Sequence, residues 1–128
     1  MNTPVSPSAI APPAAAYSHA MLSVGVSRWL HTAGVVPFRP DGTVPDDLAG
    51  QVETVWANIA AMLAEADMVA SDVVSVTTYV VQGHDLGLVI AGRDRAMGGH
   101  RPASTMLVVP ELVRPEWKVE VAVVAAAA

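Results

Sequence analysis

A chain of 128 residues is long enough to bury one core and too short for two ordinary domains. Its formal charge of −5 and pI near 5.1, with seven Lys and Arg of which no two are adjacent, exclude the basic patch that nucleic-acid binders carry. The lack of cysteine excludes disulfides, thiolate metal sites and a cysteine nucleophile, and no apolar run approaches the roughly 18 residues that span a membrane. A cytoplasmic domain is the expectation. The hydrophobic share of 52%, with few aromatics, implies a core of Val, Ala, Leu and Met and an apolar surplus buried between subunits.

Residues 1–16, rich in Pro, Ala and Ser, read as a tail ordered only where it leans on something else, and residues 17–128 read as a single domain. Met21–Val26 and Trp29–Val36 are short apolar runs that predict a hairpin. Pro37 to Pro45 is a loop, with three prolines and an Asp-Gly turn. The next segment reads as a helix opened by a capping box of Thr43 and Asp46. Its apolar face comprises Leu48, Val52, Val55, Trp56, Ile59, Met62 and Leu63, and Asp67 stands at its exit.

Asp72 to Gln82 is dense in Val, Thr and Tyr and predicts a strand, with Val74, Val76 and Val80 on one face and Ser75, Thr77 and Tyr79 on the other. His84 to Met97 reads as a second helix, diluted by Gly87 and Gly92 and ended by Gly98 and Gly99. Ala103–Val109 and Trp117–Ala125 are the last strands. The order is β-β-α-β-α-β-β, an α+β domain with both helices on one face of a mixed sheet. The last two strands are largely apolar on both faces, so both faces should be covered. One chain lacks the third layer for this, and sheets of an oligomer would supply it.

The histidines His19, His31, His84 and His100 are scattered, with no helical pair, so no metal site is expected. No dinucleotide, phosphate-loop or serine-elbow motif is present, and no cofactor is expected. Glu120 stands out as a carboxylate within a β-branched run. One reading pairs it with Lys118, Arg101 or Arg114. The other makes it a general acid/base, or a carboxylate orienting a water, in a pocket at a subunit boundary.

Several short motifs recur in a recognisable order: AAAYSHA from Ala14, Gln51 and Asn58 in the first helix, PAST at Pro102 to Thr105, and KVEV at Lys118 to Val121. With the order of elements, they resemble the RidA family, the YjgF-like reactive-intermediate deaminases also labelled endoribonuclease L-PSP. The resemblance implies a chorismate-mutase-like fold, a homotrimer with pockets at its interfaces, and hydrolysis of an enamine or imine to a carbonyl compound and ammonia without metal or cofactor. It implies Glu120 as the carboxylate working with water and Tyr17 as a pocket wall.

The family's P-A-R arginine, which clamps a substrate carboxylate, aligns with Ser104. The resemblance therefore gives Ser104 and Thr105 as hydrogen-bonding groups and Arg101 or Arg114 as alternative sources of charge. Its ligand would be a small molecule other than the standard 2-imino acid. A trimer of the same fold that binds a ligand without catalysis is the alternative.

Overall fold

In the computed structural model, which describes residues 1–128, the first helix (α1) spans Leu48–Glu65. Its cap is Asp47, whose carboxylate accepts from the Gly50 amide at 3.1 Å. The expected Thr43–Asp46 box does not form, because the Thr43 hydroxyl is already bonded to Asp41 Oδ1 at 2.7 Å. That contact, with the Thr43 amide behind it, holds the Asp41 carboxyl below its ordinary range. Val52, Val55, Trp56, Ile59 and Leu63 are buried as the spacing predicts, whereas Met62 is 40% exposed at the edge of the stripe.

The strands are β1 (Asn2–Val5), β2 (Ala20–Ser23), β3 (Arg28–His31), β4 (Val73–Val81), β5 (Ala103–Val109) and β6 (Val119–Ala127); the second helix, α2, is Leu86–Met97. The main sheet has the order β3-β6-β4-β5, antiparallel except for the parallel β4/β5 pair. Helix α2 ends where Gly98 takes the left-handed conformation (φ 57°).

The expected hairpin of Met21–Val26 and Trp29–Val36 does not form. Strand β2 pairs instead with β1, inside the segment read as a tail, and β3 pairs with β6. The chain swings away at Gly25 (φ 70°), and the Met1 ammonium closes the ribbon on the Val24 carbonyl. Asn2 Nδ2 ties it to the Ala126 carbonyl at 2.8 Å.

Both helices cover one sheet face. There Val76, Val80, Val119, Val121 and Val123 are at most 1% exposed, packed with Val52, Val55, Ile59, Val89 and Met97. The helices approach closely at Gly92, where a Cβ would stand 2.3 Å from Val52 Cγ1, so this glycine serves packing. On the other face Thr77, Tyr79, Ala122 and Val124 are only half-buried, and Leu107 is 41% exposed. No helix covers it.

Candidate functional site

Glu120 lies on this second face. Antiparallel pairing sets Tyr79 opposite Glu120 and Thr77 opposite Ala122; parallel pairing sets Tyr79 beside Leu107 and Thr77 beside Thr105. One row across the sheet thus reads Leu107, Tyr79, Glu120, and the adjacent row Thr105, Thr77, Ala122. Beyond Glu120 the chain returns through Thr32–Val35, where Val35 bridges to Val121. Gly34 forms a floor beneath the carboxylate: a Cβ there would stand 2.0 Å from Glu120 Oε2. Only glycine admits the side chain in this position.

Two side chains of α1 hold the segments flanking this floor. Gln51 is fully buried; its Nε2 donates to the carbonyls of Pro45 (2.9 Å) and Glu116 (2.8 Å), and its Oε1 accepts from the Lys118 amide (2.8 Å). It therefore fixes the entry to β6 two residues before Glu120. Asn58 Nδ2 donates to the Phe38 carbonyl at 2.8 Å and fixes the segment that follows Gly34. A buried amide bonded at both ends, as Gln51 is, specifies one geometry.

None of the expected ion-pair partners stands beside Glu120. Lys118 Nζ donates to the Asp46 carbonyl at 2.7 Å, and the Arg114 guanidinium stands 5.3 Å from the Phe38 ring centroid and 5.4 Å from that of Trp117. Arg101 is exposed just before β5, and its carbonyl accepts from the Ser18 hydroxyl. The one ion pair of the chain is Arg93–Asp94 at 3.0 Å, so no cation stands within 4.0 Å of Glu120.

Ser104 is separated from Glu120 by the sheet. Parallel pairing sets it beside Val76, on the helix-covered face, and its hydroxyl accepts from Arg93 Nη1 at 3.1 Å. Arg93 is 5% exposed, and its Nε and Nη2 donate to Asp94 Oδ1 at 3.1 and 3.0 Å. Ser104 thus satisfies a buried guanidinium that joins α2 to β5, and the expectation that it faces a ligand held by Glu120 is corrected.

Thr105, one residue on, shares the face of Glu120. Tyr17 lies at the outer edge: Ser18 bridges to Ala103, and the Tyr17 ring meets His19 edge-on at 6.0 Å. The structure therefore brings Glu120 and Thr105 to one face, with Tyr17 and Arg101 near the start of β5 and Arg114 in the loop before β6. Sequence reasoning missed Tyr79, Thr77 and Gly34. Alternation in β4 had set the first two apart from the valines, but their link to Glu120 needed the β4/β6 register.

Two hollows of the chain lie between the helices. A groove of about 570 Å³ is lined by Val52, Glu53, Trp56, Leu88 and Arg95 among others, and an apolar hollow of about 440 Å³ by Trp56, Ile59, Leu63 and Met97 among others. Glu120 lines neither. Their walls offer few convergent polar groups, whereas the carboxylate, phenol and threonines around Glu120 can handle protons and hold a small ligand once a second surface encloses them. No three His, Asp or Glu side chains converge as a metal site.

With alanine at position 34, the Glu120 carboxylate must swing away from its floor. The side chain is flexible and the Gly34 φ is unexceptional, so the expected result is a fold within about 0.5 kcal/mol of wild type by urea titration. Whatever activity depends on the position of Glu120 should fall at least about tenfold.

Residues 8–127 match the family profile described as endoribonuclease L-PSP. A RutC family protein of Haemophilus influenzae is 30% identical over 96 residues, covering 74% of this chain and 68% of the relative. The mitochondrial protein MMF1 of Saccharomyces cerevisiae is 26% identical over 111 residues, covering 86% and 74%. Among solved structures, YyfB of Yersinia pestis, described as a protein of unknown function of the conserved Rid family, superposes with a TM-score of 0.86 at 29% identity, covering 98% of each chain.

Proposed function

Since the chain belongs to the endoribonuclease L-PSP family, whose structural relatives include Rid and YjgF proteins, we propose that it hydrolyses the C=N bond of a small enamine or imine, releasing ammonia. The observation that carries this reading is Glu120: a half-buried carboxylate seated on Gly34, paired across the strands with Tyr79, and without a cation beside it. Nothing in the fold uses its charge.

In the proposed reaction, water oxygen bonds to the imine carbon while one of its protons passes through Glu120 to the nitrogen. In the resulting carbinolamine the second proton follows the same route as the carbon–nitrogen bond breaks, leaving a carbonyl compound and ammonia. Holding water and imine together supplies proximity, and the carboxylate supplies proton transfer. Thr105 and Tyr17 would contact the substrate. No metal or cofactor is part of the proposal, and a cytoplasmic location belongs to it.

The pocket would be completed by further copies of the chain in a homotrimer, which would also cover the face bearing Leu107, Ala122 and Val124. No helix is long and apolar enough to cross a membrane. A trimer that binds a small molecule without catalysis is the second reading. The observation favouring it is Ser104, which turns to Arg93 where a carboxylate clamp was expected.

The test is ammonia release from imines generated in situ, 2-iminopropionate among them. The wild type should exceed the uncatalysed rate at least about tenfold on its substrate class, a minimum for a positioned acid/base. A rate equal to buffer on every imine tried would leave only the binding reading.

A further inference from the structure

Resting on the deaminase reading of the Glu120 face, we infer that the substrate is an imine that carries no carboxylate and bears a positive charge at or near the C=N group, with Glu120 as its counter-ion. A 2-imino acid would need a cation to hold its carboxylate. The chain has seven Lys and Arg, and each can be placed.

Arg28 donates to the carbonyls of Ala66 (2.6 Å) and Ala128 (3.1 Å), and Arg39 to the Thr43 hydroxyl (3.1 Å). Arg93 is buried on the opposite face of the sheet, and Arg95 lines the groove between the helices. Arg114 lies over Phe38 and Trp117, and Lys118, on the strand of Glu120, turns its ammonium to the Asp46 carbonyl.

The side chains of Arg95 and Arg101 make no hydrogen bond or ion pair; Arg95 lies in the groove between the helices, and Arg101 precedes β5 rather than facing Glu120 across the sheet. Further copies of the chain would bring the same seven cations, five of them engaged in the same way. The groups around Glu120 complete the picture. Tyr79, Thr77 and Thr105 are neutral hydroxyls, while Leu107 and Ala122 are apolar. A half-buried carboxylate without a counter-ion in such surroundings favours a cation with a short alkyl body.

The experiment uses the full chain and stable analogues of each class, followed by calorimetry: propylamine and putrescine against propionate and lactate. The amines should bind at least about tenfold more tightly than the carboxylates, and Glu120→Gln, checked for folding by circular dichroism, should weaken the amines about ten- to a hundredfold. Tighter binding of the carboxylates, or loss of that binding in Arg101→Gln, would overturn the inference by making Arg101 the clamp. Binding of neither class at millimolar concentration would overturn it as well.

Turnover is read separately, with imines made in situ by a flavin amine oxidase from propylamine and by an amino-acid oxidase from alanine. Amine binding without ammonia release would sink the hydrolysis reading and leave the ligand class standing. Faster turnover of the alanine-derived imine would sink the ligand class and leave hydrolysis standing.

Discussion

Glu120→Gln is expected to lower imine hydrolysis about 10²- to 10⁴-fold, mainly in kcat, because the amide cannot accept the proton that water must lose. The two side chains have nearly the same shape, so the seat on Gly34 is kept. No ion pair is lost either, since no cation stands within 4.0 Å of the carboxylate. The change in stability should therefore stay within about 0.5 kcal/mol. Calorimetric melting alongside a steady-state ammonia assay checks both halves. A carboxylate with a purely structural role would give the opposite pattern, with melting lowered and no rate to lose.

Ser104→Arg should fail to restore a carboxylate clamp and should instead destabilise the chain by about 2–5 kcal/mol. The new guanidinium would enter the helix-covered face beside Arg93, removing the hydroxyl that accepts from its Nη1. An unsatisfied buried donor costs roughly 1–3 kcal/mol, and overpacking costs a similar amount. Two like charges about 4 Å apart repel by about 4 kcal/mol at an effective dielectric of 20. Only part of this repulsion would be felt, because Ser104 is half-buried and Asp94 partly compensates. Thr105→Arg, one residue on, points to the face of Glu120 and should be tolerated within about 1 kcal/mol. Urea titration of the two variants side by side checks the assignment of faces. Equal stability would contradict it.

This contrast marks how far the sequence could be read. Alternation within β5 already grouped Ser104 with Met106 and Val108, and alternation within β6 grouped Glu120 with Ala122 and Val124. Which group faces the helices depends on pairing through β4, a contact between distant segments that local pattern does not specify. Alignment of Pro102-Ala103 therefore found the position of the expected arginine but not the direction in which its replacement points.

The helix α1 was legible because its apolar stripe and the loop before it are local signals. Its cap lies four residues after the expected one, at Asp47, since Thr43 has a stronger local partner in Asp41. The pairing of β1 with β2 was hidden, because four residues of a Pro-containing tail carry no period that would reveal a strand. Arg93 was hidden for another reason. On a helix with a weak apolar stripe, an arginine gives no sign of being buried until Ser104 and Asp94 are seen around it.

The covering of the Glu120 face by further copies is tested most directly by the mass of the wild-type chain in solution, measured by light scattering at micromolar concentration. The expected mass is about three times the 13.3 kDa of one chain. A particle of one chain's mass across that range would contradict an interface pocket and leave Glu120 on an open surface.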